Sequence, residues 1–151
     1  MTANIDDIVK QIERLMHGYN FEVCIGIDVF NGRTTADFEK AVKEKYSNTN
    51  PALYPLKMLD KDEFLVDIIG KLDFRGDKHA GLILTEQKEI KLKALQQKYL
   101  DYIGQFTNER TKYFYYFDPD GIPGYPVFWD YRYVLFADND RIVLVYGSSS
   151  D

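Results

Sequence analysis

The chain ends in segments with the alternating pattern of β-strands, and this ending constrains the fold more than any other feature. Residues 127–137 and 141–146 are rich in aromatic and β-branched residues, and residues 138–140 between them (Asp-Asn-Asp) are typical of a tight turn. The two segments therefore predict a β-hairpin. Residues 112–117 predict a further aromatic strand, which ends at the turn sequence of residues 118–121 (Asp-Pro-Asp-Gly). We expect an antiparallel meander, since short turns join antiparallel neighbours.

Upstream of this ending, apolar residues at helical spacing predict four amphipathic helices. They cover residues 5–16, about 34–46, a segment that opens at Asp60, and about 85–106. After the first of them, residues 21–30 alternate between apolar and polar, which is typical of a half-buried strand. Helices and strands are thus largely segregated along the chain, which favours an α+β fold. We expect N-terminal helices packed on a mainly antiparallel sheet of about four strands.

Length and charge narrow the class of protein. The 151 residues correspond to one ordinary domain, and 45% of them are hydrophobic, so we expect a single domain over residues 1–151. The net charge of −5 argues against nucleic acid and anionic membrane as partners, because both favour a basic surface. The first residues lack the pattern of a secretory signal, and no apolar run could span a bilayer. We therefore expect a cytoplasmic protein.

The sequence contains no motif of a well-marked catalytic centre. Nucleophile elbows, paired zinc histidines, and glycine-rich phosphate or dinucleotide loops are all missing. The two histidines, His17 and His79, fall at a helix end and in a polar loop, so neither is expected to be catalytic. The lone Cys24 has no basic neighbour in sequence and is expected to be an inert thiol. We expect no metal, no cofactor and no enzymatic turnover.

Aromatic and acidic residues are concentrated near the C-terminus. The last 39 residues contain 12 of the 23 aromatics and carry a net charge of −4, whereas all preceding residues carry −1. Strands favour aromatics and turns favour Asp, so this composition has a purely structural explanation. However, a sheet with helices on one side has no need of aromatics on the other, which favours a recognition surface. The candidate partner-binding residues are the acids Asp118, Asp120, Asp130, Asp138 and Asp140, with Tyr116 and Phe128 as apolar anchors.

The same ending resembles a known group of proteins. The turn at residues 118–121 and the hairpin formed by residues 131–136 and 143–146 are similar to the ends of bacterial immunity proteins of contact-dependent inhibition and related polymorphic toxin systems. The resemblance implies a stoichiometric inhibitor that binds a cognate toxin domain, often a basic nuclease. It assigns a role to no individual residue. A basic protein partner would fit the acidic charge, since complementary charge speeds encounter.

The sequence is also compatible with two other classes of function. The first is a small enzyme or ligand-binding domain with an aromatic pocket between the long helix and the sheet, lined by Tyr99, Tyr102, Trp129 and Tyr131. The second is a structural adaptor domain in a larger complex. Added salt separates these classes, because an electrostatically steered protein partner loses association rate and an apolar ligand does not.

Overall fold

The structure, a computed structural model, describes residues 4–53, 55–76, 81–117 and 121–150. Within those ranges it has four α-helices and five strands, which confirms the α+β class and raises the strand count from about four to five. The helices are α1 (Ile5–Leu15), α2 (Thr35–Lys45), α3 (Lys61–Leu72) and α4 (Glu86–Gly104). The strands are β1 (Glu22–Asn31), β2 (Lys57–Leu59), β3 (Lys112–Tyr115), β4 (Trp129–Ala137) and β5 (Arg141–Ser150).

Local sequence signals account for the helix starts. The Asn4 side chain accepts a hydrogen bond from the Asp6 backbone at 2.9 Å and caps α1. At α2, the Thr34 side chain and the Asp37 carboxylate bond each other's backbone N–H groups in a capping box. The Asp60 side chain caps α3 by accepting a hydrogen bond from the backbone N–H of Glu63 at 2.8 Å. These caps fix where the helices begin, before any tertiary contact is considered.

All strands pair antiparallel, in the order β1-β5-β4-β3-β2. The predicted strand at residues 21–30 therefore joins the sheet at its edge, beside β5. β5 continues to Ser150, four residues beyond the predicted strand of residues 141–146. Ser148 pairs with Cys24 on one side and Asp130 on the other, and Ser149 is fully buried. A strand that lies between two others gains backbone hydrogen bonds on both sides, which orders even a polar serine segment.

Helices cover both faces of the sheet, and the expectation of helices on one side only is wrong. The face that carries alternate residues such as Tyr133 and Val145 packs against α1, α3 and α4. The opposite face, which carries Val134 and Leu144, packs against Phe38 of α2. Aromatics on both faces are therefore core residues to a large extent. The second core consists of Phe38, Val42, Tyr116, Val134, Ile142 and Leu144, with Phe114, Phe136 and Tyr146 at its edge.

Buried hydroxyl groups tie α4 to the sheet in the first core. Tyr99 and Tyr131 are both fully buried, and their hydroxyl oxygens lie 3.0 Å apart. Tyr99 donates to the carbonyl oxygen of Gly26 at 3.1 Å, so Tyr131 is the donor between the two hydroxyls. The Tyr131 ring lies over Gly147, where a Cβ atom would come within 2.6 Å of it. α4 thus packs across the sheet, with Leu95, Tyr99, Ile103 and Tyr131 buried and Trp129 only half-buried.

Candidate functional site

The predicted acidic residues do not form one surface. Asp138 and Asp140 lie at the turn between β4 and β5, whereas Asp130 lies at the opposite end of β4. Asp138 is eight positions after Asp130 along the extended chain, which is about 27 Å at about 3.4 Å per residue. Asp118 and Asp120 fall outside the described residues. The structure therefore divides the predicted patch between two ends of the sheet.

Each of these three aspartates also has an arginine nearby. The Asp130 carboxylate lies 2.9 Å from the Arg132 guanidinium, and that of Asp138 lies 3.4 Å from Arg110. Asp140 forms a longer contact of 3.7 Å with Arg33, in which both side chains are largely exposed. Exposed pairs such as Arg33–Asp140 contribute little to stability, but each of the three pairs offsets negative charge that a partner would otherwise meet.

Tyr116 is not an exposed anchor, and this assignment is corrected. Its side chain is fully buried, and its ring packs edge-on against Phe38 with centroids 5.3 Å apart. The correction follows from the position of α2, which covers the face of the sheet that was expected to be open. The aromatic pattern of residues 112–117 reflects burial on both faces at this position.

Phe128 is exposed as predicted, and the structure places a second exposed aromatic beside it. Phe128 and Phe74 are 40% and 39% exposed, and their ring centroids lie 6.1 Å apart. Both rings contact Phe21, which is buried, at 5.8 and 5.9 Å. We call these three rings the Phe74–Phe128 surface. Sequence analysis missed Phe74; the signal was an aromatic residue directly beyond the apolar stripe of α3.

Unpaired carboxylates adjoin the Phe74–Phe128 surface in sequence. Glu22 follows Phe21, and Asp73 precedes Phe74; both are exposed, and neither has an ion-pair partner among the described residues. The nearest cation in sequence, Arg75, is held 2.7 Å from the Glu89 carboxylate. Exposed rings next to unpaired acids are the composition that the sequence analysis associated with a basic partner.

The alternative aromatic pocket is not present at the predicted place. Tyr99 and Tyr131 are core residues, and Trp129 stacks on Tyr131 with ring centroids 5.8 Å apart. Tyr102 packs on Phe106 at the C-terminal end of α4, with centroids 5.5 Å apart. These side chains fill the space between helix and sheet, so they do not line a cavity there.

A cleft of about 360 Å³ lies instead between α3 and the β2–β3–β4 part of the sheet. This is within the size range of small-molecule sites. We call it the α3 cleft. Its lining residues are Lys57, Met58, Leu59, Glu63, Asp67, Lys71, Tyr115, Phe117 and Tyr133. Sequence analysis did not identify it, and the one local signal was the Asp67–Lys71 spacing of i and i+4 on a helix.

Hydrogen bonds fix the polar end of the α3 cleft. The Lys71 ammonium donates to Asp67 Oδ2 at 2.9 Å and to the Asp130 carbonyl oxygen at 2.5 Å. The Tyr133 hydroxyl donates to the same Oδ2 atom. Burial raises the pKa of Tyr133 well above its usual range, and the hydrogen bond to the Asp67 carboxylate raises it further. Tyr133 is therefore a neutral donor that holds the Asp67 carboxylate in place.

Cys24 has the environment of an unreactive thiol. It is half-buried on β1, and desolvation, with a smaller contribution from Glu13, raises its pKa from 9.0 to about 11. Glu13 also accepts from the backbone N–H of Ile25 at 3.1 Å, which occupies a donor on the edge strand. This hydrogen bond to the Ile25 backbone therefore holds the Glu13 carboxylate beside the Cys24 thiol.

We expect the Cys24 thiol to react with a disulfide reagent such as DTNB at least about tenfold more slowly in the folded protein than in urea at pH 8. The raised pKa lowers the thiolate fraction about 100-fold, and the greater nucleophilicity of a more basic thiolate recovers about tenfold of this. The measurement is the pseudo-first-order labelling rate in the folded and in the unfolded state. The rate in the folded state should keep rising as the pH is raised toward the Cys24 pKa of about 11. Equal rates in the two states would show that burial does not protect the thiol.

Histidine and metal chemistry receive no support from the geometry. His17 is exposed just beyond α1, and His79 lies outside the described residues. In the described part of the chain, no three His, Cys, Asp or Glu side chains come together in a way that could hold a metal ion. The polar cluster of the α3 cleft contains carboxylate, ammonium and phenol groups.

Comparison with known proteins assigns no family. The sequence matches no protein-family model and no curated protein. Over the residues that the structure describes, no helix is both long enough and apolar enough to cross a membrane.

Proposed function

We propose that this protein is an immunity-type inhibitor that binds a basic toxin domain in a one-to-one complex through the Phe74–Phe128 surface. The observation that carries the proposal is the pair of exposed phenylalanine rings that pack at a tilt against the buried Phe21 ring. Aromatic side chains fixed on a rigid base are the usual anchors of protein interfaces, because little conformational entropy is lost when they bind.

Charge supports a basic partner. The protein carries a net charge of −5, and the acids next to the surface, Glu22 and Asp73, have no cationic partner among the residues described. Arg75, the cation next to Phe74 in sequence, is paired with Glu89 within the protein. Unpaired acids of this kind would attract a basic toxin domain and speed its encounter with this surface.

The proposal is tested with the toxin domain encoded next to the gene for this protein. We expect co-expression to protect cells from that domain, and calorimetric titration to give a one-to-one complex with no turnover of either component. The association rate should fall as salt is raised from about 50 to 300 mM, because charge steers the encounter.

The matched control is a toxin domain of the same class with a different cognate inhibitor. Protection against both toxins would indicate a general stress effect, and failure to bind the neighbouring toxin at micromolar concentrations would contradict the proposal. A gene neighbourhood without any toxin would contradict it as well.

A further inference from the structure

Three aromatic rings form one wall of the α3 cleft, which is separate from the Phe74–Phe128 surface. Tyr115 and Phe117 lie with ring centroids 4.6 Å apart and planes tilted by 57°. On its other side, Tyr115 meets Tyr133 edge-on at 5.5 Å. Phe117 is 43% exposed, and Met58 on the edge strand β2 is 61% exposed, so the apolar wall is open to solvent. Exposed ring faces of this kind attract cations, above all planar guanidinium groups that can stack on them.

The hydrogen-bonding groups at the polar end are unbalanced in favour of acceptors. The Lys71 ammonium and the Tyr133 hydroxyl both direct donors to Oδ2 of Asp67. No residue in the described ranges donates to Oδ1 of Asp67. Glu63, one turn earlier on α3, is exposed and has no ion-pair partner among the described residues. The cleft therefore offers carboxylate oxygens to a ligand that brings its own donors.

An anionic ligand fits these groups less well. Lys71 already contacts two oxygen atoms, the Asp67 carboxylate and the Asp130 carbonyl. Lys57, the first residue of β2, also lines the cleft, but it is exposed, so water and salt screen its attraction for an anion. An anion entering beside Asp67 would meet the Oδ1 atom, which accepts no hydrogen bond from the described residues, and the electron-rich ring faces.

We propose that the α3 cleft binds a guanidinium group, stacked on Phe117 and Tyr115 and bonded to Asp67 Oδ1 and Glu63. The geometry of a guanidinium suits the site, because it presents several coplanar donors and a flat apolar face at once. The group can come from a small molecule such as agmatine or from an arginine side chain of another protein. This inference does not depend on the proposed inhibitor function.

The test compares guanidinium with its neutral urea isostere. Amide shifts of ¹⁵N-labelled protein are followed while acetyl-Gly-Arg-Gly-amide, the same peptide with citrulline, or agmatine is added. We expect the arginine peptide to bind with a Kd of about 1 mM, and the citrulline peptide at least about fivefold more weakly. Shifts should centre on Met58, Phe117 and Asp67. Tighter binding of agmatine than of the peptide would identify a small-molecule source, and the reverse would identify a protein arginine.

Two phenylalanine variants provide the matched control, because their rings are exposed to nearly the same extent. Phe117→Ala should weaken arginine binding about fivefold, whereas Phe74→Ala should leave it unchanged. Glu63→Gln, at an exposed position, should weaken it about two- to threefold. Equal binding of the arginine and citrulline peptides, no effect of Phe117→Ala, or no shifts in the cleft at about 20 mM ligand would each overturn the proposal.

Discussion

Replacing Phe38 by alanine is expected to lower the free energy of unfolding by about 3–5 kcal/mol. Phe38 is buried and, together with Val42, joins α2 to the second core, where its ring packs against Tyr116. Its removal leaves a cavity between a short helix and a rigid sheet, which can close only in part. The measurement is urea denaturation followed by circular dichroism, analysed as a two-state transition.

Phe128→Ala is the matched control, since it removes the same side chain from an exposed position. Phe128 is 40% exposed, so the substitution removes mainly its contacts with Phe21 and Phe74. We expect it to lower the free energy of unfolding by about 1 kcal/mol. If both substitutions cost the same, then α2 does not pack firmly on the sheet. The far face would then be open, as the sequence analysis first expected.

Local signals were sufficient for most of the secondary structure. The caps at Asn4, Thr34 and Asp60 are chemical features of the residues themselves, so they mark helix starts regardless of the tertiary fold. The alternation of residues 21–30 likewise reports burial of one strand face, and β1 lies one residue further on, at Glu22–Asn31.

Structural features that depend on the neighbouring strands and helices could not be predicted from local sequence signals. β2 is three residues long, too short to show a period of two, and it exists because it pairs with β3. Burial of Ser149 depends on the strands on either side of β5, and nothing in three consecutive serines indicates it. Tyr116 gave the most misleading signal, because an aromatic strand looks the same whether its second face meets solvent or a helix.

The candidate site was predictable only in part for the same reason. Asp130 and Asp138 are close in sequence, but an extended strand places them at opposite ends of the sheet. Phe74 and Phe128 are 54 positions apart, and only the fold brings their rings within 6.1 Å. Composition therefore indicated that exposed aromatics exist, whereas chain topology decides which ones share a surface.

Alanine at Phe74 or Phe128 is expected to weaken binding to the toxin domain by about 2 kcal/mol or more, which is about 30-fold in Kd. Each ring is backed by Phe21, so it is held in place before binding and buries its exposed face on contact. The loss should come mainly from faster dissociation, measured by surface plasmon resonance. The small stability cost expected for Phe128→Ala separates lost binding from lost folding.

The double variant Asp138→Asn/Asp140→Asn is the control for the acidic turn. These residues lie at the far end of β4 from Phe128, and each already contacts an arginine, so we expect less than about a threefold change in Kd. Their neutralisation should reduce only the association rate at low salt, since long-range charge acts on encounter. If the double variant instead weakens binding strongly and the phenylalanine variants do not, the interface lies at the β4–β5 turn. The Phe74–Phe128 surface would then have no part in recognition.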